Sequence, residues 1–169
     1  MARSDHRSIA VFRAHPATLA VSALVALVLQ TYLPVKLPLT RLIDFPLLVT
    51  IYFALLRRNK LFAIGLGAAL GLFQDALSHS YIGMFGMAKA LVGYLAASAS
   101  VKFDPEHSLT RFGLVGVLVL VHNLFMTALE QLLPSPPPLQ PLDLVSAVLV
   151  NVAIALVVFQ ILDRFKRPA

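Results

Sequence analysis

Apolar residues fill the chain in long runs that short polar breaks interrupt. Six runs have the length or context of a membrane span: Ala17–Leu33, Phe45–Leu56, Leu61–Leu77, Ile82–Val101, Phe112–Leu133 and Leu142–Leu162. A helix needs about 20 apolar residues to cross a hydrocarbon core roughly 30 Å thick. The first run follows Arg3, Arg7 and Arg13, as in a signal peptide. It is long, lacks a small-x-small cleavage site, and is expected to remain as a span that Pro34 ends. The second run is short. Asp44 is its expected N-cap and Pro46 lies in its first turn, so the helix either starts deep or borrows Leu37–Ile43.

The breaks have their own chemistry. Arg57, Arg58, Asn59 and Lys60 form a tight basic turn, and Ser78, His79, Ser80 and Tyr81 a short polar one. Val101–Arg111 is a longer polar loop. Pro134 to Pro141 holds five prolines in eight residues, so an extended connector is expected there. No repeat is convincing and no loop is long enough for a second domain. The expected fold is one all-α, six-helix transmembrane domain over residues 1–169.

Composition supports a membrane chain and removes other classes. Of 169 residues, 59% are hydrophobic and 13% charged, against about 45–50% and about 25% in soluble domains. A disordered chain, a coiled coil and an ordinary cytosolic enzyme are excluded. The net charge of +6 does not point to nucleic acid, because in an apolar chain surplus Lys and Arg mark cytoplasmic loops. With the N-terminus inside, eleven of the 14 Lys and Arg fall on inner segments. Only Lys36 and Arg41 fall outside, and Lys89 lies within a span. Both termini are therefore expected in the cytoplasm. There are no cysteines, which excludes disulfides and thiolate metal sites.

Ionisable groups inside a bilayer are costly and therefore informative. Gly67, Gly71 and Asp75 share one face of the third span. The fourth span has a small face of Gly83, Gly86, Ala90, Gly93 and Ala97. A tight hairpin with these faces in contact is expected, as a packing seam ahead of a ligand-lined groove. Lys89 leans back along its helix toward the level of Asp75, so an Asp75–Lys89 pair is expected. Otherwise Asp75 caps the turn near Ser78 or faces interfacial water, and Lys89 snorkels alone. Asn123, Thr127 and Glu130 form one polar stripe on the fifth span, which should face protein. Asn151, mid-span in the sixth, is expected to hydrogen-bond a neighbour. His122 reads as a partly buried histidine with a backbone partner ahead of a ligand or proton-relay group. HExxH, GxSxG and Gly-rich phosphate loops are absent. No catalytic residue, metal or cofactor is expected.

The order of several weak motifs resembles the MreD family of rod shape-determining proteins. The residues that carry it are Tyr52 to Arg58, the Gly-rich run Gly65 to Ser78 that contains Asp75, Ile82-Gly83, and Ala88 to Leu95 with Lys89, Gly93 and Tyr94. The similarity covers roughly residues 44–95, with Asp44 and Asn151 similarly placed. His79 stands where a Gly is common and Gln74 where a hydrophobic is common. The resemblance implies a non-enzymatic inner-membrane component of the bacterial elongation machinery. Its implied partners are MreC and, indirectly, MreB, RodA and its partner transpeptidase, with membrane lipids around it. The fold it implies is similar to the substrate-binding subunits of energy-coupling-factor transporters. A small-molecule or lipid-binding transport subunit is the second reading. The first run lacks a clean Ala-xxx-Ala face, and long outer loops are missing, which weighs against it.

Overall fold

The computed structural model describes residues 12–78, 81–103, 107–134, 136 and 141–168. Six helices dominate it: α1 Pro16–Lys36, α2 Phe45–Arg57, α3 Lys60–Ser78, α4 Met84–Lys102, α5 Ser108–Glu130 and α6 Pro141–Asp163. A 3-10 turn, Pro38–Leu42, precedes α2. Two three-residue strands, β1 Phe12–Ala14 and β2 Lys166–Pro168, pair antiparallel. Nothing in the hydropathy pattern pointed to these strands. They bring the two ends of the described chain together.

Five helices are long and apolar enough to span a membrane: all but α2. Pro34 does not end α1, which runs on to Lys36. A proline removes one N–H and crowds one carbonyl, and so close to the helix end that loss is small. The helix stops at Leu37, which is extended (φ −130°, ψ 98°) in front of Pro38, as a residue before proline prefers.

α2 is the axis of the bundle. Its 13 residues cover roughly 20 Å at 1.5 Å each, too little to cross a bilayer unaided. Ten consecutive residues, Pro46 to Leu55, are buried, so the helix is hydrophobic all round and enclosed by protein. α1, α3, α4, α5 and α6 all touch it. Leu47, Leu48, Ile51 and Phe53 of α2 meet Val92 of α4, Val115 and Val119 of α5, and Phe159 of α6 in one continuous core. The helix does not borrow Leu37–Ile43: that stretch forms the separate 3-10 turn, and α2 starts deep, with Asp44 as its N-cap.

The basic turn after α2 is two residues long. Arg58 takes a left-handed conformation (φ 53°) as the C-cap, and Asn59 Oδ1 accepts from the Phe62 N–H at 3.0 Å to start α3. His79 and Ser80 in the next turn, and most of the proline-rich connector, lie outside the described residues.

Candidate functional site at the buried start of the second helix

A helix that begins inside a bundle must satisfy its first N–H groups without water. The start of α2 does so completely. The Asp44 N–H donates to Asn151 Oδ1 of α6 at 2.9 Å. The Phe45 N–H donates to Gln30 Oε1 of α1 at 3.0 Å. Pro46 has no N–H to satisfy. The Leu47 N–H donates to the Asp44 carboxylate at 2.9 Å. Asn151 also donates from Nδ2 to the carbonyls of Leu42 (2.7 Å) and Ala147 (2.8 Å), tying the 3-10 turn to α6.

The second oxygen of Asp44 takes the buried cation of α4. Lys89 Nζ lies 2.5 Å from Asp44 Oδ2, and the lysine is fully buried. The ammonium also sits 4.7 Å from the centroid of the Phe85 ring and 3.5 Å from His122 Nε2. His122 is stacked parallel to Phe85 at 6.2 Å, and its Nδ1 is 3.5 Å from Asn123 Oδ1. Asp44, Lys89 and His122 thus form one polar cluster that links α2, α4 and α5.

The expected Asp75–Lys89 pair does not form. Asp75, also fully buried, is the acceptor for the start of α4. Its oxygens take the N–H groups of Gly83 (2.9 Å), Phe85 (3.1 Å) and Gly86 (3.2 Å). Gly83, the N-cap residue, has no side chain to do this, and a carboxylate against a helix N-terminus is favoured by the dipole. Asp75 is therefore a cap supplied from the neighbouring helix, and Lys89 is left for Asp44.

The α3–α4 seam lies where close approach demands glycine. A Cβ on Gly67 would strike the Lys89 carbonyl, one on Gly71 the backbone of Phe85 and Gly86, and one on Gly93 the Ala63 carbonyl. Gly86 meets a side chain instead, Leu72 at 3.1 Å. Gly83 is not a packing glycine. Nothing lies within 4 Å of its Cβ position, and its φ of +102° marks it as a turn residue.

Beside the polar cluster is an open cleft of about 680 Å³ between α5, α6 and the 3-10 turn. Asn123, Thr127 and Glu130 line it from α5, and Asn151 from α6. Gln74 of α3 and Asp143 of α6 also face it. The α5 stripe is legible in the sequence, Gln74 shows there only as a departure from the family pattern, and Gln30 is signalled only by its polarity within an apolar run. At the other end of α2, Arg111 binds Asp163 through two contacts of 2.8 and 3.2 Å. The Tyr52 hydroxyl donates to Asp163 at 2.9 Å, and the guanidinium lies 4.6 Å from the Phe159 ring. In the sequence Arg111 shows only as a cation at the end of a polar loop.

Chemically, these polar groups bind helix ends to helices. Among the described residues, no group of three His, Asp or Glu is placed to hold a metal. The match to known families covers almost the whole bundle: the family described as rod shape-determining protein MreD matches residues 11–162. No curated protein and no solved structure matches the chain.

Proposed function

Because the chain belongs to the MreD family of rod shape-determining proteins, we propose that it acts as a non-enzymatic scaffold of the elongation complex. In this reading it binds MreC and, through it, supports peptidoglycan synthesis by RodA and its partner transpeptidase along MreB. Its place as a multi-pass protein of the bacterial inner membrane follows from the family and from five helices of spanning length. The observation that carries the reading is the extent of the family match, residues 11–162. The way the buried charges are used agrees with it. Asp75 caps α4, Lys89 holds the start of α2 through Asp44, and Arg111 joins α5 to α6 through Asp163. Each ties one element of the bundle to another, and none is left open as an acid or base for a reaction in this reading.

The reading includes one six-span domain with both ends in the cytoplasm. The lysine and arginine bias supports that orientation, and the β1–β2 pairing, which holds both ends together, supports an even number of crossings. The reading also takes the bundle to be similar to the substrate-binding subunits of energy-coupling-factor transporters, as the family resemblance implies. Fold likeness alone transfers no function.

The test is co-purification. Tagged MreC from the same cells, extracted in mild detergent, should retain this chain, and a strain lacking the chain should regain rod shape when it is supplied. Failure of both, with the protein present in the membrane, would overturn the reading.

A further inference from the structure

The cleft beside the start of α2 has hydrogen-bonding capacity that the protein leaves unused. Gln74 is 5% exposed, and its side-chain carbonyl oxygen is buried with no partner. Asn123 Nδ2 is likewise buried with no partner. Both residues line the cleft. Buried polar atoms are normally paired, and leaving one unpaired is unfavourable. An apolar residue at either place would suit a helix in a membrane protein better. One orphan is an acceptor and the other a donor, and a hydroxyl is both.

The rest of the wall narrows the chemistry. Arg41, Glu130 and Asp143 line the cleft together with Asp44, whose charge is already matched by Lys89. One lining cation, Arg41, stands against Glu130 and Asp143 once Asp44 is matched by Lys89 behind the wall, so nothing selects an anion. Leu47, Phe85, Met126 and Leu144 supply apolar wall between the polar groups. A volume of about 680 Å³ greatly exceeds what one water fills, about 30 Å³.

We propose that this cleft binds an uncharged, hydroxyl-rich head group, a sugar or polyol, carried on a lipid or free in solution. Both atoms are closed off as they stand, and a rotation of each amide toward the cleft lets one hydroxyl donate to Gln74 Oε1 and a hydroxyl oxygen accept from Asn123 Nδ2. The inference does not rest on the MreC reading: it is argued from the polar atoms and wall of the cleft alone.

The test is thermal unfolding of the full chain in phosphatidylcholine nanodiscs. Monoglucosyldiacylglycerol added to the disc should raise Tm by several degrees. An equal rise with free glucose in the buffer assigns the soluble source instead, and phosphatidylglycerol should give no rise. Gln74→Leu and Asn123→Leu should each unfold at the same Tm as the parent or higher without sugar, and should lose the sugar-dependent rise. Gln74→Met, closer in shape, gives the same readout if Gln74→Leu packs poorly. No rise with either sugar source, a rise that survives in the variants, or an equal rise with phosphatidylglycerol would overturn the proposal.

Discussion

Lys89 Nζ rests 2.5 Å from Asp44 Oδ2, joining the second turn of α4 to the N-cap of α2. The contact explains how a lysine is fully buried in this bundle, since an unpaired ammonium there would be strongly disfavoured. It also explains how the start of a 13-residue helix is held in place within the bundle. Asp44 is fastened by Lys89 from α4 and by Asn151 from α6, while Gln30 of α1 fastens Phe45.

Asp75 should behave as a helix cap. Asp75→Ala removes the acceptor for three N–H groups of the α4 start and is expected to cost about 2 kcal/mol, the upper part of the range for caps. Asp75→Asn keeps one acceptor oxygen and should lose less. Thermal unfolding in detergent checks the order, parent above Asn above Ala. An alanine variant as stable as the parent would remove the cap from the account.

Glycines that look alike in sequence should differ sharply. Gly71→Ala and Gly67→Ala each drive a methyl group into backbone atoms of α4, with a cost of at least the roughly 1–3 kcal/mol typical of overpacking. Gly65→Ala and Gly113→Ala meet nothing within 4 Å and should be neutral or slightly stabilising, because Ala is the better helix former. Accumulation and unfolding temperature of the four variants measured side by side decide this.

Arg111 should not be replaceable by lysine at full stability. Its planar fork reaches both oxygens of Asp163 while its face lies on Phe159, a geometry an ammonium cannot copy. The pair is partly exposed, which moderates its strength. Arg111→Lys is expected to cost about 1 kcal/mol and Arg111→Ala about 2 kcal/mol, with the stacked area lost as well. Equal stability of parent and Arg111→Lys would argue that charge alone matters.

The sequence read alone shows the six helices and the start of α2, because long apolar runs and an Asp-x-Pro signal are local features. It shows the α3–α4 seam for the same reason: Gly67 and Gly71 repeat on one face. It mispairs Lys89. A turn of a few residues makes Asp75 a sequence neighbour of α4, whereas Asp44 lies 45 residues away and comes into reach only because α2 starts deep. Gly83 was misplaced for a related reason: its role is a positive φ, and spacing along a helix cannot reveal where the helix begins. Gln30 and Asn151 bind backbone N–H groups of another element, so no pattern in their own helices names their partners. The β1–β2 pairing involves only three residues on each side, too few to mark by alternation.

The most direct measurement is a pair of double-mutant cycles on unfolding free energy, for Lys89→Met with Asp44→Asn and for Lys89→Met with Asp75→Asn. Breaking one side of a buried ion pair costs about 3–5 kcal/mol, and removing both charges costs less than the sum. The Asp44–Lys89 cycle should therefore show a coupling of more than about 1 kcal/mol, and the Asp75–Lys89 cycle, which senses charge at a distance without a contact, a clearly smaller one. Coupling that appears only in the Asp75 cycle, with Asp44 and Lys89 additive, would contradict the account.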